Sequence, residues 1–207
     1  MAAPELAAAD LQAWLRSRRS TRRFTQQAVP RALLERLIET ATHAPNAHNR
    51  QPWRFVILES EDSRQQLAAA MGQEFESALQ AEGLSAEQIA AQLARSQVRL
   101  QEAPAAMLLC LDTSVLNTYA DPARTQGEQA MAMQSVALAG GQLLLAAHAE
   151  GLGGVWVCAP LFAPEAARYA LALPDSWQAQ GVVLLGYPSG EPKPRERHSV
   201  NEVTCWV

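Results

Sequence analysis

A chain of 207 residues, 48% hydrophobic and 18% charged, has the make-up of an ordinary folded domain, which excludes a disordered or fibrous protein. The net charge of −4 excludes a general nucleic-acid binder, because such domains are basic overall. Three widely spaced cysteines, Cys110, Cys158 and Cys205, form neither a disulfide framework nor a zinc pattern and point to a reducing cytoplasm.

In chain order, the start MAAPELAAADLQ is acidic and lacks the basic region and apolar core of a signal peptide. No run approaches about 18 apolar residues, so no membrane span is expected. Leu6, Leu11, Trp14 and Leu15 recur at helical spacing and predict a helix over 5–19 that runs into the segment RSRRSTRRF at 16–24. Pro30 opens a second helix with an apolar stripe of Leu33, Leu34, Leu37, Ile38 and Ala41, ending before Ala44-Pro45. The polar loop APNAHNRQP precedes a β-rich run at 53–58. Residues 61–102 read as helices, the second opened by a capping box from Ser85 to Gln88. A strand is expected at 107–111, a loop at 112–125 and a long, broadly apolar helix at 126–149, with Gly151 as its C-terminal cap. Strands follow at 154–158 and 182–185, with a short helix between them from Pro164 to before Pro174. The tail 188–207 is rich in proline and charge but ends in Val203-Thr-Cys-Trp-Val207, an apolar end that calls for a partner surface. With no repeat, low-complexity tract or linker, 1–207 reads as a single α+β domain.

Few side chains suggest chemistry. The arginine segment fits either a solvated helix end complementing the helix dipole or an oxyanion site, where the guanidinium forks and the hydroxyls of Ser20 and Thr21 would meet phosphate. The stretch Gly151-Leu-Gly-Gly-Val-Trp156 fails the dinucleotide fingerprint: Trp156 stands where the third glycine belongs, and a helix precedes the stretch instead of a strand. His43, His48, His148 and His198 match no metal-binding spacing. Cys158, within an apolar strand, is expected to be a buried, inert thiol. The loop from Asn46 to Pro52 carries amides that suit either a surface turn or the edge of a planar heterocycle. No acid, base or nucleophile is picked out as catalytic, which suits a protein whose reactivity resides in a cofactor.

The motifs RRSTRRF, APNAHNRQPWRF, GLGGVWV and LLGYP, followed by Arg195-Glu-Arg197, stand in the order seen in FMN-dependent nitroreductase-family proteins, which the chain resembles over roughly residues 12–200. Within that family, GLSAEQIAAQLARSQVRLQEAP and TYADPARTQGEQAM are most similar to the FMN-binding C-terminal domain of the actinobacterial deazaflavin-coenzyme γ-glutamyl ligase; the ligase activity is not carried over. The resemblance implies a nitroreductase-like mixed β-sheet surrounded by helices, in an intertwined homodimer with FMN in a cleft built from both chains. It implies that Arg18, Arg19, Ser20 and Arg22 grip the FMN phosphate and ribityl chain, and that Arg195 and Arg197 close on the same phosphate. Asn46, in the place of a commoner serine, would lie near the flavin with Asn49 and Gln51, and Val157, Cys158 and Ala159 would line the ring. His48, Tyr119 and Arg124 would face a small-molecule substrate. The implied activity is hydride transfer from a donor such as NAD(P)H, through FMN, to a nitroaromatic, quinone, enone or dehydro-deazaflavin acceptor. A flavin carrier without turnover, or a dehalogenating or flavin-consuming enzyme on the same fold, is the alternative. No metal, nucleic acid or membrane enters this reading.

Overall fold

The computed structural model describes residues 7–192 and 195–207. Four strands, β1 (Trp53–Ile57), β2 (Ala105–Asp112), β3 (Gly153–Val157) and β4 (Trp177–Gly186), form one sheet in the order β1-β2-β4-β3. Every ladder between them is antiparallel. Among the described residues, parallel pairing is limited to an isolated bridge between Ser20 and Gly154, on the outer edge of β3.

The sheet lies between two helical layers because its side chains alternate. Met107, Leu109, Leu111, Val183 and Leu185 face a core completed by α2 (Arg31–Ala41) and α5 (Pro122–Ala149). Leu108, Cys110, Val182, Leu184 and Val155 face the opposite core, built with α3 (Glu61–Ala81), α4 (Ala86–Gln101) and α6 (Pro164–Ala170). Covered on both sides, β2 is buried along its whole length, which explains its unbroken apolar run AAMLLCL. Two further helices, α1 (Ala8–Ser17) and α7 (Val200–Val203), lie outside this sandwich, and neither contains a buried residue.

Helix starts follow local chemistry. Ser60 Oγ accepts from Ser63 N at 3.0 Å to cap α3. The capping box of α4 is complete, with Ser85 Oγ accepting from Gln88 N at 3.3 Å and Gln88 Oε1 from Ser85 N at 3.0 Å. Asp121 caps α5 and Pro122 occupies its first turn, so that helix starts before the expected residue 126 and Arg124 lies on it. The strands differ at their ends too. β4 begins at Trp177, because its first half, despite the polar Gln178 and Gln180, pairs with β2 and buries Ala179 in the core. β3 closes at Val157, leaving Cys158 outside the strand and exposed; the buried thiol is Cys110, pushed up to about 12 by its burial. The N-terminal helix begins later than expected, and residues 5 and 6 of that expectation lie outside the described residues. Gly151 does follow α5 with φ +74°.

Among the described residues α5 is the one helix long and apolar enough to cross a membrane. Here Val136, Ala139, Leu143 and Ala147 bury its inner side against the sheet. Its outer side leaves Met133 and Leu138 exposed.

Candidate functional site

The arginine segment is folded against the sheet. After α1 ends, Thr21 N donates to Gly154 O at 3.0 Å, and Thr25 N donates to Tyr187 O at 2.8 Å. Phe24 bridges Pro188, so residues 20–25 cross one corner of the sheet. Thr21 is buried there, directly over Gly153. A Cβ at Gly153 would stand 2.6 Å from Thr21 Cβ, so the glycine is what lets the segment approach. This is a physical role for the glycine stretch that owes nothing to a dinucleotide loop.

Arg18 is half-buried beside Arg19 and Arg197; burial, together with their two charges, lowers its pKa from the ordinary guanidinium value. Among the described residues, Arg16, Arg18, Arg19, Arg22, Arg195 and Arg197 have no carboxylate within ion-pair distance. Arg19 is partly used elsewhere: its Nη1 donates to the carbonyls of Arg16 and, at 2.9 Å, Arg18, finishing the last turn of α1. Ser20, Arg22 and Arg197 are exposed around the same corner, and Arg195, two residues before Arg197, is exposed too.

A residue that the sequence did not single out for this corner is His148, in the last turn of α5. Its ring lies 5.0 Å from that of Trp14, and Nε2 is 2.8 Å from Ser17 Oγ. The Ser17 hydroxyl donates to Trp14 O at 2.7 Å, so Nε2 must carry the proton and donate to Ser17. Burial, with the Arg18 charge second, lowers the His148 pKa below the ordinary 6.5. The unfolded chain therefore takes up this proton first as pH falls. Stability is unaffected above about pH 6.5 and is lost below it, toward the folded-state pKa. Thermal denaturation followed from about pH 8 to pH 5 is expected to show a fall in Tm on the acid side that His148→Gln flattens.

The second group of residues surrounds the loop before β1. His48, Asn49 and Gln51 all adopt left-handed backbone angles, φ 54°, 52° and 49°. Such angles cost non-glycine residues about 1–3 kcal/mol each and cluster at functional sites. Asn46 holds the loop together: its Oδ1 accepts from Gln51 N at 2.9 Å and its Nδ2 donates to Ala44 O at 3.3 Å. Ala47 N reaches Ser135 Oγ on α5 at 3.3 Å. His48, Asn49 and Gln51 point no buried side chain inward and remain exposed. Nearby, Tyr119 and Arg124 come together, the guanidinium 4.2 Å from the ring centroid.

One chain does not bring these groups into a single cleft. Strand register puts Ser20 in line with Gly154, Leu185 and Ala105, and Trp53 in line with Leu111 and Gln178. The arginine corner and the Asn46–Gln51 loop thus lie at opposite edges and opposite ends of the sheet, roughly 19 Å apart across the strands and about 20 Å along them. Val157, Cys158 and Ala159, at the far end of β3, fall between.

The family model described as "Nitroreductase family" matches residues 15–187. An NADH dehydrogenase of Thermus thermophilus is 30% identical over 213 residues, spanning 91% of this chain and 92% of the relative. Among solved structures, a nitroreductase-like family protein from Bacillus cereus aligns with a TM-score of 0.75 at 22% identity, covering 100% of this chain and 99% of the other. A nitroreductase-type protein from Desulfovibrio desulfuricans, solved in complex with FMN, aligns with a TM-score of 0.73 at 23% identity, covering 100% of this chain and 98% of the other. The matched span runs from the last turns of α1, through the arginine segment and the amide loop, to the end of β4, and the chain belongs to the nitroreductase family.

Proposed function

We propose that the chain, acting as one domain over 1–207, is an FMN-dependent NAD(P)H oxidoreductase whose working unit is a homodimer. The observation that carries the reading is the cluster of Arg18 and Arg197, half-buried to exposed, mutually repelling and without a carboxylate partner among the described residues. Such a cluster calls for a compact anion, and one phosphate satisfies it where a dinucleotide would need a second phosphate loop. The donor set therefore fits FMN, and the relative from Desulfovibrio desulfuricans solved with FMN and the Thermus NADH dehydrogenase agree with it.

When bound, FMN supplies two-electron chemistry between a nicotinamide donor and an organic acceptor. The protein's part is binding and orientation. Arg18, Arg22, Arg195 and Arg197 hold the phosphate, while Ser20 and Arg19 border it. Asn46 fixes the loop that presents Asn49 and Gln51 to the ring edge, and the backbone at Val157, Cys158 and Ala159 lines the ring. His48, Tyr119 and Arg124 face the acceptor, which we assign to the nitroaromatic, quinone, enone or dehydro-deazaflavin classes. Arg124 favours an acidic member.

Two chains are needed because a mononucleotide cannot span the sheet diagonal between the arginine corner and the amide loop. A partner's loop would complete each site. The surfaces for such a partner are apolar and uncovered in one chain: Leu11 and Leu15 on α1, Met133 and Leu138 on α5, and Val203, Trp206 and Val207 in the tail. A reducing cytoplasm, with all three cysteines free, suits the donor.

The test is purification without added flavin. The expected protein is yellow, elutes as a dimer, releases FMN and not FAD on heating, bleaches with NADH or NADPH, and recovers colour with a quinone or nitroaromatic. A colourless monomer that ignores FMN refutes the reading. A yellow protein that no nicotinamide bleaches is a flavin carrier.

A further inference from the structure

Two carboxylates are buried among the described residues, Asp112 and Glu128. Asp112 is accounted for by Arg54, which pairs with it at 2.7 Å beside β1. Glu128, 4% exposed in the second turn of α5, has a less ordinary set of partners. Its Oε1 accepts from Asn117 N at 3.1 Å, and the Tyr119 hydroxyl reaches its Oε2 at 3.5 Å. Arg50 Nε lies 3.6 Å from Oε1 and has no hydrogen-bond partner of its own. Arg50 Nη1 donates to Val115 O at 2.9 Å.

These partners come from two separate loops. Arg50 lies between Asn49 and Gln51, inside the run of left-handed residues. Asn117 and Tyr119 belong to the segment that joins β2 to α5, and Tyr119 carries Arg124 on its ring. Strained backbone of this kind persists only where its surroundings over-determine it. In the run 48–51, Arg50 is the side chain anchored in the protein body. A buried carboxylate left without its cation is strongly disfavoured, so the pair has one stable arrangement.

We infer that Glu128 is a positioning residue that couples the two loops, holding through Arg50 the turn that meets the flavin and through Asn117 and Tyr119 the segment that meets the acceptor. This assignment of what each loop meets rests on the FMN reading above; the coupling itself does not. Glu128 touches neither ligand, and its effect reaches both through its neighbours.

Glu128→Gln keeps the size and one acceptor but loses the ion pair. In the cofactor-free protein, hydrogen exchange of the amides in both 46–51 and 115–119 is expected to rise at least about ten-fold, the loss of a single charged contact. Arg50→Met, which also removes the direct hydrogen bond to Val115 O, should loosen both segments as well, and the double variant should add little to either single one. In the FMN-loaded dimer, KM for menadione should rise by about ten-fold with kcat changed far less. FMN and riboflavin should weaken by equal factors, because the ring side and not the phosphate is disturbed. If Glu128→Gln does not fold, Glu128→Asp, which keeps the charge but withdraws it from both segments, carries the test with the same expected double response. Faster exchange in only one of the two segments in the Glu128 variant, or unchanged KM beside a lowered Tm, overturns the coupling. A parent protein that never takes up FMN refutes the FMN reading, while the exchange result still decides whether the loops are linked.

Discussion

Arg18→Ala is expected to weaken FMN binding at least about ten-fold, the loss of one charge-assisted contact to phosphate worth roughly 1.5–3 kcal/mol. The effect should shrink for riboflavin, which lacks the phosphate, whereas a loop substitution such as Glu128→Gln should weaken both flavins alike. Arg16→Ala should change affinity far less, since Arg16 is exposed on α1 and contributes only a carbonyl to the turn that Arg19 closes. The cofactor-free protein should lose no stability at Arg18→Ala, because the substitution removes a charge that repels Arg19 and Arg197. Titration of both flavins into cofactor-free parent and variants measures all of this. Equal losses at Arg16 and Arg18, or an undiminished loss with riboflavin, would leave the cluster as a charged helix end.

The largest stability effect is expected at Gly140, inside α5. A Cβ there would stand 2.1 Å from Trp156 Cζ3 and 3.2 Å from Leu109 Cδ2. The indole cannot retreat, because a Cβ at Gly181 of β4 would stand 2.4 Å from its Cε2 on the other side. Gly140→Val therefore forces α5 off the sheet, at about 3 kcal/mol or more by the usual cost of overpacking. For a chain of this size that is roughly 6–12 °C in Tm. Gly127→Ala, in the same helix but with nothing within 4 Å of the new methyl, should instead be neutral or stabilise by about 0.5–1 kcal/mol. Calorimetry of the two variants separates packing from helix propensity. Trp156 then counts as a structural member of GLGGVWV, and the glycines around it as the room it needs.

How legible these features are in the sequence depends on how local their causes are. The four strands, the capping box at Ser85 and the turn at Gly151 follow from residues within a few positions of one another, and the sequence shows them. The start of α5 does not stand out, because Asp121-Pro122 serves equally as a turn and as a helix cap with its first residue. The first half of β4 is hidden by the polar and glycine residues Gln178, Gln180 and Gly181, which alternation alone does not mark as strand. The site divides in the same way. Its arginines and amides are visible as motifs, but the left-handed turn at 48–51 uses no glycine and so gives no sign of itself. Glu128 and His148 acquire their partners only when α5 packs across the loops. The one available hint was an acid standing alone on an otherwise apolar helix.

Helix α1 has a consequence for how the phosphate corner forms. None of its residues is buried, and what ties its end to the body is chiefly Trp14 and Ser17 against His148. A segment with so few anchors opens locally at little free-energy cost, long before the sheet does. Arg18 follows directly on its last turn, so one side of the anion site rests on a weakly anchored helix. The measured affinity for a phosphate is then the intrinsic affinity reduced by the fraction of time the segment is folded. Anything that covers Leu11 and Leu15, as a second subunit would, tightens cofactor binding without touching the cofactor.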